Sequence, residues 1–273
     1  MAPATEIKVA KDSLPLAKDT LPVARDTLRV ALDTFGLTHD SAVALARNKP
    51  ECARAAPDSE ADAFHSARPS RELFPDFFCF SIGGSLYTIS SSGVGTRLNA
   101  RNEREPFALR FEKNFDMNFL MYRTAGNRLY FMYETTDSEY GGGYLDAFER
   151  RTLSPLWLTP ARIAPNLGYP LFVDSAAYVT GMGIIGKVRL SDGKFFWKHI
   201  FGGEGLEKIP PTQQYLTQFD VPVRANGTVQ FPQDTTITPG GVTFVIDDAS
   251  GIIVSPSVLK GQKPLCTGPQ PLC

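Results

Sequence analysis

Beyond residue 75 the chain alternates short runs of apolar and β-branched residues with turn residues, and the runs come in pairs. "FCFSI" and "SLYTIS" flank Gly83 and Gly84, and "NFLMYRT" and "LYFMYET" flank Gly126 and Asn127. "AAYVTG" leads to "KVRL", an Asp192-Gly193 turn and "KFFW"; "VPVRA" and "TVQF" flank Asn226-Gly227; "VTFVID" and "GIIVS" lie around Ala249 and Ser250. Alternation with a period of two places successive side chains on opposite faces of a strand, and Asn-Gly or Asp-Gly between two such runs is a hairpin signal. No amphipathic helical period interrupts this region. Hairpins meandering at a spacing of roughly 40 residues predict stacked blades rather than a wound α/β sheet. The expected fold class is therefore all-β, a partial or small β-propeller of about four antiparallel blades preceded by a partly helical or disordered N-terminal extension.

The extension has its own pattern. Residues 9–43 read "VAKDSLP", "LAKDTLP", "VARDTLR", "VALDTFG", "LTHDSAV", a seven-residue repeat. Its apolar positions are not the first-and-fourth seam of a coiled coil. Pro15 and Pro22 also end the first two units, and proline inside a helix costs about 3 kcal/mol. A helix is expected only from Val23 to Arg47. The repeat reads either as a docking or phosphorylation arm or as a solvated low-complexity extension, and its composition favours the second. Residues 48–74, rich in Ala, Pro, Ser and charge, read as a linker. The division is thus 1–47 extension, 48–74 linker, 75–258 β domain and 259–273 tail.

Three stretches of the β domain echo one another: "NRLYFMYETTDSEYGGGYLDAFERRTLSPLW", "SAAYVTGMGIIGKVRLSDGKFFW" and "GTVQFPQDTTITPGGVTFVIDDASGIIV". They resemble the repeat of quinoprotein-type β-propellers: an outgoing strand, a glycine-rich corner, a second strand, an acidic-Gly turn and a closing Trp. The matching residues are Tyr130, Gly143, Phe148 and Trp157, then Tyr178, Gly186, Leu190, Gly193 and Trp197; the third unit ends in Ile253 where Trp would stand. A weaker unit, "GGSLYTISSSGVGTRLNARN", precedes them. The likeness covers residues 75–255 and implies a propeller of fewer blades than most relatives have. It also implies structural roles for Trp157, Trp197, Gly186 and Gly193, because a blade buries its faces only when neighbours stack on it.

Composition narrows the partners. With 28 basic against 29 acidic residues the chain carries no field to draw in nucleic acid or an anionic membrane. No apolar run reaches the 18 or so residues of a membrane helix, and no signal peptide is visible. Cys52, Cys79, Cys266 and Cys273 lack metal-site spacing. Cys266 and Cys273, across a Gly-Pro turn, are the pair expected to bridge in an oxidising compartment; the alternative is two thiols on a frayed tail. The compartment stays open, with periplasmic or secreted slightly favoured over cytoplasmic.

Sites of chemistry are sparse. "GMGIIG", residues 181–186, matches the dinucleotide fingerprint, but a β-like run follows where that site needs a helix, so these glycines are expected to bend the chain between blade strands. Asp137, Glu139, Asp247 and Asp248 lack calcium-loop spacing and read as solvated turn carboxylates. Among the histidines, His39 and His65 precede the β domain, and His199 reads as a rim residue. No Gly-x-Ser-x-Gly elbow surrounds Ser85 or Ser90–Ser92. No catalytic, cofactor or metal residue is assigned and no cofactor is expected. The leading expectation is a non-enzymatic module binding a protein or peptide partner, with Tyr140, Tyr144, Phe201, Glu204 and Tyr215 as contact residues. The other readings are a divergent quinone-dependent periplasmic oxidoreductase and a vestigial propeller fragment.

Overall fold

A computed structural model describes residues 64–70, 75–98, 101, 103–111, 116–136, 141–201, 219–234, 241–264 and 266–267. The seven-residue repeat and the helix expected from Val23 lie outside them. The described chain is a row of four antiparallel sheets, each a meander in chain order. Two short strands come first, β1 (His65–Ser66) and β2 (Arg68–Pro69). Blade 1 holds β3 (Phe77–Ile82), β4 (Ser85–Ser90), β5 (Val94–Leu98) and β6 (Arg104–Ala108). Blade 2 holds β7 (Asp116–Ala125), β8 (Arg128–Thr136), β9 (Gly141–Glu149) and β10 (Ala161–Arg162). Blade 3 holds β11 (Leu171–Val173), β12 (Ala176–Gly181), β13 (Ile184–Arg189) and β14 (Phe195–Ile200). Blade 4 holds β15 (Val223–Ala225), β16 (Thr228–Pro232), β17 (Thr243–Asp247) and β18 (Ile253–Ser255). A last strand, β19 (Cys266–Thr267), pairs with β14. The architecture is a β-propeller type, as the hairpin pattern predicts.

Three apolar clusters join the blades in sequence. Phe78, Phe80, Tyr87 and Phe107 of blade 1 meet Phe131, Tyr133 and Phe148 of blade 2. Tyr130, Met132, Leu145 and Trp157 meet Ala177, Val179, Val188 and Phe195 of blade 3. Tyr178, Ile185 and Trp197 meet Val229, Phe231, Phe244, Ile246 and Ile253 of blade 4. Among the described residues no such cluster joins blade 4 back to blade 1.

Residues 64–70, inside the expected linker, form a strap across the innermost strands of blades 1 and 2. β1 pairs with β7 (His65 opposite Tyr122) and β2 with β3 (Arg68 opposite Cys79). Ala67 N–H donates to Leu120 O and Ser70 N–H to Phe77 O, both at 2.9 Å. The register follows from hairpin geometry. Next to a two-residue turn the pair is hydrogen-bonded, so residues at even distances before the turn point their N–H and C=O groups to the open edge. Cys79 and Tyr122 both lie four residues before their turns, which begin at Gly83 and Gly126. In blades 3 and 4 the same place, four before Asp174 and Asn226, is proline, at Pro170 and Pro222. Proline has no N–H to give, so those edges offer no matching donor. Phe64 instead rests edge-on against Phe172 of blade 3, centroids 5.1 Å apart.

A second device recurs at each blade junction. The turns Glu149–Leu153, Arg189–Gly193 and Asp247–Gly251 close by a bond from the fifth residue's N–H to the first residue's C=O, at 2.8, 2.9 and 2.8 Å. The carbonyl of the second residue accepts from the preceding blade. Arg97 Nη1 reaches Arg150 O at 2.6 Å. Trp157 Nε1 (3.2 Å) and Arg128 Nη1 (2.6 Å) reach Leu190 O. Trp197 Nε1 and Lys187 Nζ, each at 3.1 Å, reach Asp248 O. The fifth residue faces the same Trp: a Cβ on Gly193 would lie 2.5 Å from Trp157, and one on Gly251 2.6 Å from Trp197. Both glycines have positive φ, 76° and 72°; the equivalent in blade 2 is Leu153, at φ 58°.

Candidate interaction surfaces

Among the described residues, two of the clefts lie beside hairpin turns. The first, about 570 Å³, lies along the inner strands β11 and β15 and is lined by Leu171, Val173, Pro222, Val223, Arg224 and Ala225 among others. Its rim is apolar and exposed: Val221 and Val223 show 48% and 53% of their surface. Beside it Asp248, 5% exposed, gathers three donors. Tyr178 Oη donates at 2.6 Å, Lys187 Nζ at 2.7 Å and Arg224 Nε at 2.8 Å. Burial pushes this carboxyl up, but the hydrogen bonds from Lys187, Tyr178 and Arg224 outweigh it and hold it below the ordinary carboxylate range. The Tyr178 hydroxyl is pushed up, first by burial and then by its bond to Asp248. Arg224 also pairs with Asp174 at 3.3 Å. The whole group ties blade 3 to blade 4.

The second cleft, about 460 Å³, opens between blades 1 and 2, with Gly83, Arg97, Gly126, Asn127, Arg150 and Arg151 in its lining. Arg97, 8% exposed, forks onto Glu105, with Nε at 2.7 Å, and donates to the carbonyls of Arg150 and Arg151. Arg150 N–H donates to Asn127 O at 2.9 Å and Thr152 N–H to Glu149 Oε2 at 2.5 Å. Those bonds fix the turn that carries two successive arginines. The hydrogen bond with Thr152 leads the causes that hold the Glu149 carboxyl down at about 2.

Each residue singled out in the sequence has a definite place. Trp157 and Trp197 are buried, at 3% and 1%, between blades. Gly186 lies in β13 under Phe195, where a Cβ would be 2.6 Å from the ring. "GMGIIG" is thus the end of β12, a turn and the start of β13, with no helix. Tyr144 and Phe201, expected as contact residues, are 5% and 1% exposed: Tyr144 stacks on Tyr133, and Phe201 on His199 and Phe244. Both belong to the packing and present no surface, because the sheets that flank them close over their rings. Tyr140, Glu204 and Tyr215 lie outside the described residues, as do Asp137 and Glu139.

Three further expectations change. His199 is a core residue rather than a rim one, 2% exposed with Nε2 2.6 Å from Gly251 O; burial lowers its pKa against that bond. Asp247 does cap its turn, accepting from Ser250 N and Oγ, but Asp248 is the buried hub described above. A bridge between Cys266 and Cys273 is not supported by the described residues, which include the backbone of Cys266 but not Cys273. The arginines that rim the second cleft were not anticipated. "ERRT" reads as an ordinary polar turn until the fold brings Arg97 beneath it.

No protein-family profile and no curated protein matches the chain. Solved structures that resemble it include BamB from Moraxella catarrhalis (15% identity, 63% of this chain and 49% of that one, TM-score 0.39). Sqt1 from Saccharomyces cerevisiae shows 14% identity over 65% of this chain and 48% of that one, TM-score 0.40. Apo AztD from Citrobacter koseri shows 14% identity over 70% and 49%, TM-score 0.37. The chain spans about half the length of each. The blade assignment rests on the strand pairing above, and no activity or partner follows from these likenesses.

Proposed function

We propose that the chain is a non-enzymatic binding module of β-propeller type whose partner is a protein or peptide. The observation that carries this reading is the exposed β15 edge of blade 4. Blade 4 buries Val229, Phe231, Phe244 and Ile246 against blade 3, yet leaves Val221 and Val223 exposed beside the β11–β15 cleft. Exposed aliphatic residues grouped at a strand edge mark interaction surfaces, and an unpaired edge strand is a template for another chain. The test is capture from an extract of the source cells, with the recovered complex weighed by light scattering. A stoichiometric protein partner that is lost in Val223→Asp supports the reading. Recovery of a lone monomer, or capture that Val223→Asp leaves unchanged, removes its basis at this surface.

A further inference from the structure

We infer that Cys79 is bridged by a disulfide to Cys52, and that the chain matures in an oxidising compartment. The inference is independent of the β15 edge, because it uses a residue on the innermost strand of blade 1. Cys79 is disulfide-bonded, with 3% of its surface exposed. Its side chain packs with Phe77 and Leu86 on the face of blade 1 turned away from blade 2, since Phe78, Phe80 and Ile82 take the other face. The chain offers three partners for it: Cys52, Cys266 and Cys273.

A bridge needs Cα atoms within about 7 Å of each other. Cys266 stands opposite Lys198 on β14, at the outer side of blade 3. Blade 2 lies between that strand and β3, packed on one face to blade 1 and on the other to blade 3, so Cys266 is out of reach. Cys273 follows Cys266 by seven positions and starts from that same outer strand, while the Cys79 side chain faces away from blades 2 and 3. Cys52 starts from the strap. Arg68 lies opposite Cys79, and Phe64 is four positions before Arg68. Four residues span at most about 14 Å and a strand pair adds about 5 Å, which places Cys79 within about 20 Å of Phe64. The twelve positions from Cys52 to Phe64 reach up to about 40 Å, ample to close that distance. This pair also closes the smaller loop, 27 positions against 194 for Cys273, at a lower cost in chain entropy. The bond forms by exchange: the two thiols pass two electrons and two protons to an external disulfide, which leaves as two thiols. Such a product persists where the medium does not keep thiols reduced. Residues 64–70 are then fastened to blade 1 at both ends, by the bond ahead of them and by Ser70 N–H on Phe77 O behind.

The test is peptide mapping of the full-length protein from its source cells, lysed in denaturant with N-ethylmaleimide so that every free thiol is blocked. Trypsin places Cys52 in peptide 48–54, Cys79 in peptide 72–97, and Cys266 with Cys273 in peptide 261–273. Without reductant, 48–54 and 72–97 are expected as one species, lighter than their sum by a pair of hydrogens and lost on reduction. A non-reducing gel is expected to show a monomer. In Cys52→Ser, Cys79 is expected to react with N-ethylmaleimide once the protein is unfolded and not before, because it is buried. A link between 72–97 and 261–273 overturns the pairing, as does a bond on Cys79 that survives Cys52→Ser. N-ethylmaleimide on Cys79 of the unaltered protein overturns the bridge and the compartment together. A dimer that reduction dissolves overturns the proposal too, by placing the bond between two copies.

Discussion

Replacing Gly193 by alanine isolates the contact that locks blade 3 against the Trp of blade 2. Two costs combine. Alanine at φ 76° lies in the left-handed region, a penalty of about 1–2 kcal/mol. The new Cβ would also stand 2.5 Å from Trp157 Cε3, and that indole is 3% exposed and tied to Leu190 O at 3.2 Å. Moving a buried, bonded ring aside resembles overpacking a core, about 1–3 kcal/mol. The expected loss is therefore about 2–5 kcal/mol, a large share of the stability of an ordinary domain. Gly227 supplies the control: its φ is 74°, but nothing lies within 4 Å of its would-be Cβ. Gly227→Ala should cost only the conformational part, about 1–2 kcal/mol. Urea denaturation followed by tryptophan fluorescence measures both, since Trp157 and Trp197 are the only tryptophans and both are buried. Equal losses in the two variants would refute the steric argument. So would a cycle with Trp157→Leu in which the smaller side chain fails to relieve Gly193→Ala.

Other consequences follow from the buried polar groups. Asp248→Asn leaves Lys187 and Arg224 without their carboxylate and should cost about 3 kcal/mol, read by the same denaturation. Because the Asp248 carboxyl is held below its ordinary value, its contribution is present above that value and fades as pH falls through the lowered one; the Asn variant should lack that part of the acid slope. His199 is a base with a lowered pKa, so the fold keeps it neutral, and stability should decline as pH drops below about 6.5. His199→Gln is expected to flatten that decline, and an unchanged slope in a pH series of melts would show that another group sets it.

The blades themselves were legible because a two-residue period and Asn-Gly, Asp-Gly and Gly-Gly turns are local signals. Every hairpin expected from them is present, from Gly83-Gly84 to Asn226-Gly227. The strap was not legible, since "FHSARPS" has no alternation and owes its strands to edges formed by residues far along the chain, such as Tyr122. Tyr144 and Phe201 were misplaced for the reason that aromatic residues next to loops serve either a surface or a seam. The difference is set by what stacks on them, which a single strand does not record. The Asp248 hub is non-local in the same way: Tyr178, Lys187 and Arg224 reach it across 70, 61 and 24 positions. Gly193 was visible as a turn glycine, but its partner is the Trp of the blade before it, not the Trp that follows it in sequence.

That last relation gives the row of blades a direction. Each junction is read one way, from a donor on one blade to the turn carbonyl of the next, so during synthesis a blade's indole waits for an acceptor not yet made. An indole N–H buried there without its acceptor would cost about 1–3 kcal/mol, so each indole is satisfied only by the blade that follows it. Blade 4 departs from this pattern: its register sets Ser255 opposite Val245, the place that Trp197 takes opposite Lys187, and Ile253 where Phe195 stands, so its last strand carries no indole at that position.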